Sequence, residues 1–160
     1  MAITETSKTT EFSTGVSGSL AMHSDSSTGY LYSPAVLVPS ETGGLSINSF
    51  SNAASNNATV VKSSAGMLYG FTIGGISPEV NYIKFYDTAS APTPGTTTIK
   101  LRYCIPKAAT ATDGQSIHYF FPQGITFSTG IAFAMIESIA DAGTTAMDTA
   151  DELLVTIYYK

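Results

Sequence analysis

The sequence VNYIKFYD at residues 80–87 alternates apolar and polar side chains over most of its length. Because successive side chains of a β-strand point to opposite faces, Ile83 and Phe85 share one face of the predicted strand. The opposite face carries Tyr82, Lys84 and Tyr86. The turn sequence APTPG follows at residues 91–95, so the chain reverses soon after the strand ends. This stretch therefore predicts one strand of a β-sheet with a single core-facing side.

Further strands are predicted on both sides of this one. The sequence LLVTIYY at residues 153–159 predicts a half-buried strand, because every second side chain is large and apolar. Its core-facing residues are Leu153, Val155, Ile157 and Tyr159. The Ala-rich residues 131–136 have helical propensity, but their short length and strand neighbours favour β-structure. The other predicted strands cover residues 67–73, 97–105, 117–121, 125–127 and 131–139.

The spacing of these strands predicts the fold class. Strands that recur about every 8–15 residues, with Gly and Pro turns between them, are typical of an all-β sandwich or jelly roll. We assign this domain to residues 56–160. Residues 1–55 are predicted to form an extended N-terminal arm, because Ser and Thr account for 18 of the first 50 residues. The stretch from Ser51 to Asn57 is the expected hinge.

Composition excludes several classes of partner. The 160 residues carry a formal net charge of -5, so we expect no nucleic-acid partner, since phosphate binding needs clustered Lys and Arg. No apolar run approaches the roughly 20 residues that span a bilayer, and we expect no membrane partner. The first eight residues lack the basic and apolar parts of a signal peptide, which predicts synthesis in a cytoplasm. Only 12% of residues are charged, which suggests that neighbouring molecules cover part of the surface.

Metal and cofactor sites are not expected. His23, His118 and the single cysteine Cys104 are too few for a typical zinc site. Cys104 lies in an apolar strand, so we expect a buried structural thiol rather than a nucleophile. The segment 137–152 carries five carboxylates and no basic residue, but it lacks the spacing of a calcium loop and is predicted to be a solvated loop.

Catalysis is also not expected. Asp113, Ser116 and His118 supply the residue types of a hydrolytic triad, and Ser116 and His118 share one face of a predicted strand. Neighbours on one strand seldom have the geometry of a nucleophile and its base, and no G-x-S-x-G sequence accompanies them. A turn followed by a strand is the preferred interpretation, and a small hydrolase is the alternative.

The chain has nine tyrosines and no tryptophan, and some of the tyrosines could form a binding surface. Exposed tyrosines on a β-sandwich bind sugars or proteins, because the side chain combines an apolar ring with a polar tip. The candidates for an exposed interface are Tyr82, Tyr86, Tyr158 and Tyr159. Core packing or a contact between subunits is equally compatible with each of them.

Residues 80–160 resemble a group of small virion structural proteins of tailed bacteriophages. The segments that carry the resemblance are YIKFYD at 82–87, APTPGT at 91–96, IP at 105–106, FPQGITFSTGIA at 121–132, AD at 140–141, TTA at 144–146 and the final strand. The resemblance covers about half of the chain and leaves out residues 1–55. It implies a capsid decoration, or cement, protein with a β-sandwich or jelly-roll body, no catalytic residues and no cofactor.

The resemblance also implies where the protein works and with what. We expect it on the capsid surface of the virion, made in the host cytoplasm, as a homotrimer bound to the major capsid protein. The composition of the arm, and not the resemblance, makes it the expected capsid-binding part, with contact residues Thr4, Phe12, Tyr30, Leu31, Tyr32, Val36 and Val38. The alternative is a head-fibre or tail-associated adhesin that binds host glycans through a tyrosine face.

Overall fold

The structure, a computed structural model, describes the backbone of residues 5–11, 17–24 and 31–32 and all of residues 44–160 except residue 111. The chain divides into two compact units, Met1–Gly44 and Leu45–Lys160. In both units the regular structure described is β-strand alone, so the predicted all-β class is confirmed. The described residues include no helix of the length and apolar character needed to cross a membrane.

The first unit contains three strands, β1 (Glu5–Glu11), β2 (Ser17–Ser24) and β3 (Leu31–Tyr32). They form a sheet in the order β1-β2-β3, and both pairings are antiparallel. Five of the residues expected to bind the capsid lie outside the described residues, namely Thr4, Phe12, Tyr30, Val36 and Val38. Leu31 and Tyr32 form β3. The arm therefore stays a prediction.

The second unit contains eight strands in two antiparallel sheets of four. They are β4 (Ser46–Ser51), β5 (Thr59–Lys62), β6 (Gly66–Gly75), β7 (Asn81–Asp87), β8 (Ile99–Ile105), β9 (Gln115–Phe127), β10 (Ile131–Ile136) and β11 (Leu153–Tyr159). We call β4-β11-β6-β9 sheet 1 and β5-β10-β7-β8 sheet 2. The two sheets pack face to face, as the sequence predicted for a sandwich.

The hydrophobic core lies between the sheets. Phe71 of sheet 1 meets Phe85 of sheet 2 with ring centroids 5.2 Å apart, and Phe50 meets Phe133 at 5.5 Å. The core-facing residues of the last strand are buried as predicted: Leu153, Val155 and Ile157. Because one continuous apolar cluster draws on both sheets, burial of these faces stabilises the sandwich as a whole.

The outer face of sheet 2 is covered by the chain itself. Lys84 points away from the core, yet it is fully buried, and its amine donates a 2.6 Å hydrogen bond to the carbonyl of Ala140. Burial lowers the pKa of Lys84, while Asp141 raises it and Arg102 lowers it. Residues 139–141 thus lie across this face. Pro92 and Pro94, from the turn after β7, are also buried.

Tyr86 was expected at an exposed interface, and the structure corrects this. Its side chain is fully buried, and its hydroxyl has no hydrogen-bond partner among the described residues. Burial raises the pKa of this hydroxyl. The alternation correctly placed Tyr86 on the non-core face of β7, but that face is not exposed to solvent because loops cover much of the sheet.

The boundary between the two units lies near residue 44 and not near residue 55. Strand β4 pairs with β11 over six residues from Ser46 to Ser51 and belongs to sheet 1. The expected hinge is instead tied to the sandwich, because Asn52 is buried and accepts a 2.7 Å hydrogen bond from the Leu153 amide. Asn57 is also buried. The sequence analysis missed β4 because this strand is short and rich in Ser and Asn.

Three further expectations are refined by the structure. The strands predicted at residues 117–121 and 125–127 are one strand, β9, which passes through Pro122 at a sheet edge. The strand predicted at 131–139 ends at Ile136. Cys104 is exposed rather than buried, because it lies on the non-core side of the edge strand β8 opposite Tyr82.

Candidate functional site

The outer face of sheet 1 is the candidate functional site. The strand register places three rows of side chains on this face, because directly paired residues project to the same side. The rows are Ser51, Leu154, Gly74, Ser116; then Ser49, Thr156, Thr72, His118; then Ile47, Tyr158, Gly70, Phe120. Among these positions there is no Asp, Glu, Lys or Arg. Asp151 lies at the rim, where its carboxylate accepts a 2.8 Å hydrogen bond from Ser51.

An aromatic pair, formed by exposed Phe120 and half-buried Tyr158, occupies the third row. Phe120 is 65% exposed, and its ring stacks on Tyr158 with centroids 5.9 Å apart and an angle of 26° between the planes. The two residues come from strands on either side of β6 and meet over Gly70. A Cβ at Gly70 would lie 3.1 Å from the Phe120 ring and even closer to the carbonyl of Tyr119. Glycine at this position therefore lets the two rings approach each other.

A chain of hydrogen bonds runs beside the aromatic pair. The hydroxyl of Ser116 lies 3.3 Å from Nε2 of His118, and Nδ1 of His118 lies 3.1 Å from the hydroxyl of Thr72. Thr72 in turn lies 3.4 Å from the hydroxyl of Tyr158. Each end of the His118 ring is therefore held by a hydroxyl group, which orients the ring on the surface of the sheet.

Ser116 and His118 lie together, as the strand pattern predicted. Asp113, the third residue type of the hydrolytic triad considered above, does not contact the His118 ring. The hydroxyl that holds Nδ1 of His118 belongs to Thr72 and not to Asp113. A neutral hydroxyl does not stabilise an imidazolium as a carboxylate does. Ser116 and His118 are also exposed. This arrangement is suited to hydrogen bonding with a ligand on an open surface.

The four candidate tyrosines lie in different environments. Tyr158 is on the outer face of sheet 1, and Tyr159 packs partly buried against the core. Tyr82 is half-buried on the outer side of sheet 2, and Tyr86 is fully buried. The structure thus brings only Tyr158 to the candidate site.

Three apolar residues of this face were missed by the sequence reasoning. They are Ile47, Leu154 and Phe120, with 63%, 54% and 65% of their surface exposed. A signal was present in β9, where Phe120 shares a strand face with the polar Ser116 and His118. A single exposed aromatic residue is common on protein surfaces, and it marks a binding surface only where other exposed apolar residues adjoin it, which the sequence of one strand does not show.

The acidic segment 137–152 makes its own contacts. Asp141 forms an ion pair with Arg102, and Glu137 accepts a 3.3 Å hydrogen bond from the amide of Asp148. Across residues 44–110 and 112–160, no three His, Cys, Asp or Glu side chains are grouped so that they could hold a metal ion. Asp141 thus connects the loop to β8, whereas Glu137 links two parts of the loop to each other.

No protein-family model, curated protein or solved structure matches this chain. Its function is therefore inferred from its residues and their geometry.

Proposed function

We propose that this chain is a capsid decoration, or cement, protein of a tailed bacteriophage, with no catalytic activity. In this role it binds the outer surface of the shell and stabilises the joints between major capsid protein subunits. The resemblance of residues 80–160 to virion proteins supports this proposal. The all-β architecture supports it as well, since decoration proteins of this type have a β-sandwich body.

We infer that the sandwich is a jelly roll. With its strands renumbered from one to eight, sheet 1 has the order 1-8-3-6 and sheet 2 the order 2-7-4-5. This arrangement of two four-stranded antiparallel sheets is the jelly-roll order, which recurs in viral capsid and lectin domains. The inference thus rests on long-range pairings and not on strand count alone.

The observation that carries the proposal is the division of the chain at residue 44. Both sheets of the sandwich are built from residues 46–159, and the unit that contains them begins at Leu45. The two sheets of the sandwich are therefore built without residues 1–44, and we assign attachment to the shell to these residues. Several linked copies bind a shell more tightly than one, because linkage makes each further attachment intramolecular. This favours the proposed homotrimer.

Binding to shells tests the proposal. The full chain is mixed with expanded shells of the encoding phage that lack this protein, and the bound fraction is measured by sedimentation. We expect saturable binding by the full chain and loss of at least nine-tenths of it in a variant lacking residues 1–44. Absence of binding by the full chain would overturn the cement function, and full binding by the truncated chain would overturn the role of residues 1–44.

A head-fibre or tail-associated adhesin is the second candidate. Exposed Phe120, with half-buried Tyr158 beside it, favours this candidate, because open aromatic surfaces on sheets suit saccharides. The adhesin function requires saccharide binding, whereas the cement function requires binding to the shell and stabilisation of its joints. Shell binding that depends on residues 1–44 therefore tests the cement function, and saccharide binding by itself does not exclude it.

A further inference from the structure

The outer face of sheet 1 places apolar side chains next to a row of hydrogen-bonding side chains. The apolar part is Phe120 with Tyr158 beside it, and Ile47 is across from Tyr158 on the neighbouring strand. The polar part begins with Thr72, two residues along β6 from Gly70, and continues through His118. An aromatic platform thus directly adjoins a row of hydrogen-bonding groups.

The polar groups are oriented before any ligand arrives. Thr72 and Ser116 hold the two nitrogens of the His118 ring, and Thr72 also contacts the hydroxyl of Tyr158. A hydroxyl group has one donor and two acceptor sites, so these side chains retain free capacity after their mutual bonds are made. Preorganised groups lose little conformational entropy on binding.

The charge of the face decides between ligand classes. The three rows contain no Lys or Arg, so the face offers no cationic side chain of these types to a phosphate, a sialic acid or an acidic peptide segment, and Asp151 at its rim repels such anions. An anionic ligand would lose hydration here without gaining an ion pair. The face suits a neutral ligand that is rich in hydroxyl groups.

The three rows that carry the aromatic and hydrogen-bonding groups have the dimensions of a small ligand. Strands about 4.8 Å apart and residues about 3.4 Å apart make the three rows about 15 Å wide and about 14 Å long. Such an area is a fraction of the roughly 800 Å² that each partner contributes to a standard protein interface. It does match a short oligosaccharide.

We propose that the outer face of sheet 1 binds a neutral oligosaccharide. One pyranose ring packs its C–H groups on the exposed side of Phe120 next to Tyr158, and its hydroxyl groups bond to Thr72, His118 and Ser116. The face of the sugar ring buries apolar surface against Phe120, and the hydroxyl groups at its edge exchange hydrogen bonds with water for hydrogen bonds with the protein. Sites that combine aromatic and polar groups orient ligands in this way. This site is separate from the proposed attachment through residues 1–44 and does not depend on it.

The test uses the full chain on an array of neutral oligosaccharides built from hexoses and N-acetylhexosamines. Binding of the strongest saccharide is then measured in solution for wild type, Phe120→Ala, Phe120→Tyr and Ile139→Ala. We expect Phe120→Ala to weaken binding at least tenfold and Phe120→Tyr to retain it. Ile139 is 58% exposed in the loop over sheet 2, so Ile139→Ala controls for the loss of an exposed apolar side chain elsewhere.

Three results would overturn the proposal. One is that no neutral saccharide on the array binds to the wild type. Another is binding that Phe120→Ala leaves unchanged. The third is that Phe120→Ala lowers the molar mass of the saccharide-free protein, measured by light scattering, which would make this face a contact between copies of the chain. Because Phe120 is mostly exposed, the variant is expected to keep its fold, and its circular dichroism checks this.

Discussion

At the scale of single residues, Asp87 has the most hydrogen-bonded carboxylate described in the chain. It accepts hydrogen bonds from the amides of Ser128 and Thr129 at 3.0 and 2.7 Å, from the Ser128 hydroxyl at 2.9 Å and from Lys100 at 3.0 Å. Partial burial raises the pKa of Asp87, but these donors outweigh it and hold the pKa well below its usual range. The carboxylate thus joins the end of β7 to the turn between β9 and β10.

We predict that Asp87→Asn lowers the free energy of unfolding by about 2 kcal/mol at pH 7, because an amide cannot accept all these hydrogen bonds and loses the charge. A depressed pKa in the folded state means that the contribution is complete above the unfolded pKa of about 3.9 and is lost as the pH falls further. The difference between wild type and variant should therefore shrink below pH 4. Urea unfolding at pH 7, 4 and 3 measures it.

The control for this prediction is Asp113→Asn, which changes an exposed aspartate in a turn. It should alter the stability by less than about 0.5 kcal/mol at pH 7. If both variants have the same small effect at each pH, the hydrogen bonds of Asp87 do not stabilise the fold.

At the scale of elements, the turn from β9 to β10 packs against the end of β5 and against the segment that follows β7. A Cβ at Gly130 would lie 2.8 Å from the carbonyl oxygen of Lys62 and 2.9 Å from Cα of Ala89. Both are backbone atoms, which cannot move aside as a flexible side chain can. The absence of a side chain at Gly130 therefore lets the start of β10 enter between the end of β5 and the segment after β7.

Replacement of Gly130 by Ala is expected to destabilise the protein by about 1–3 kcal/mol, since overpacking forces the backbone to shift. Gly114→Ala is the matched control, because the nearest atom to its Cβ is the carbonyl oxygen of Gly75 at 3.9 Å. That variant should remain within about 0.5 kcal/mol of wild type. Thermal unfolding of the two variants side by side gives the comparison, and equal melting temperatures would contradict the packing argument.

At the scale of the whole molecule, strand β4 determines where the sandwich begins. It supplies the edge of sheet 1 through pairs from Ser46 to Ser51, and Phe50 contacts Phe133 of the opposite sheet. A chain that starts at residue 56 lacks this strand, whereas a chain that starts at residue 45 keeps it. The extent of the folding unit is thus set by contacts between residues about 80 to 110 positions apart.

Two truncations test this boundary. Removal of residues 1–44 should leave a cooperatively unfolding sandwich. Removal of residues 1–55 should lower the free energy of unfolding by at least about 3 kcal/mol relative to removal of residues 1–44, because the buried surface of Phe50 is lost together with the β4 pairing. Chemical unfolding of both chains measures the difference. Equal stability would place β4 outside the folding unit and restore a boundary near residue 55.

Several features of the fold were predictable because they depend on local pattern. The alternation in β7 and β11 identified Ile83, Phe85, Val155 and Ile157 as core residues, since the side-chain period of a strand is two. Turn residues marked where most strands end. The proximity of Ser116 and His118 was predictable for the same reason, because both lie on one face of one strand.

The sequence by itself determined the β class, the core-facing sides of the main strands and the position of most turns, because these depend on neighbours along the chain. Only the tertiary structure decided that Tyr86 is buried, that β4 joins sheet 1 and that Phe120 meets Tyr158 over Gly70. Each of these results depends on which distant segments pair or cover one another. Local periodicity gives the face on which a side chain lies, but it carries no information about what lies on that face.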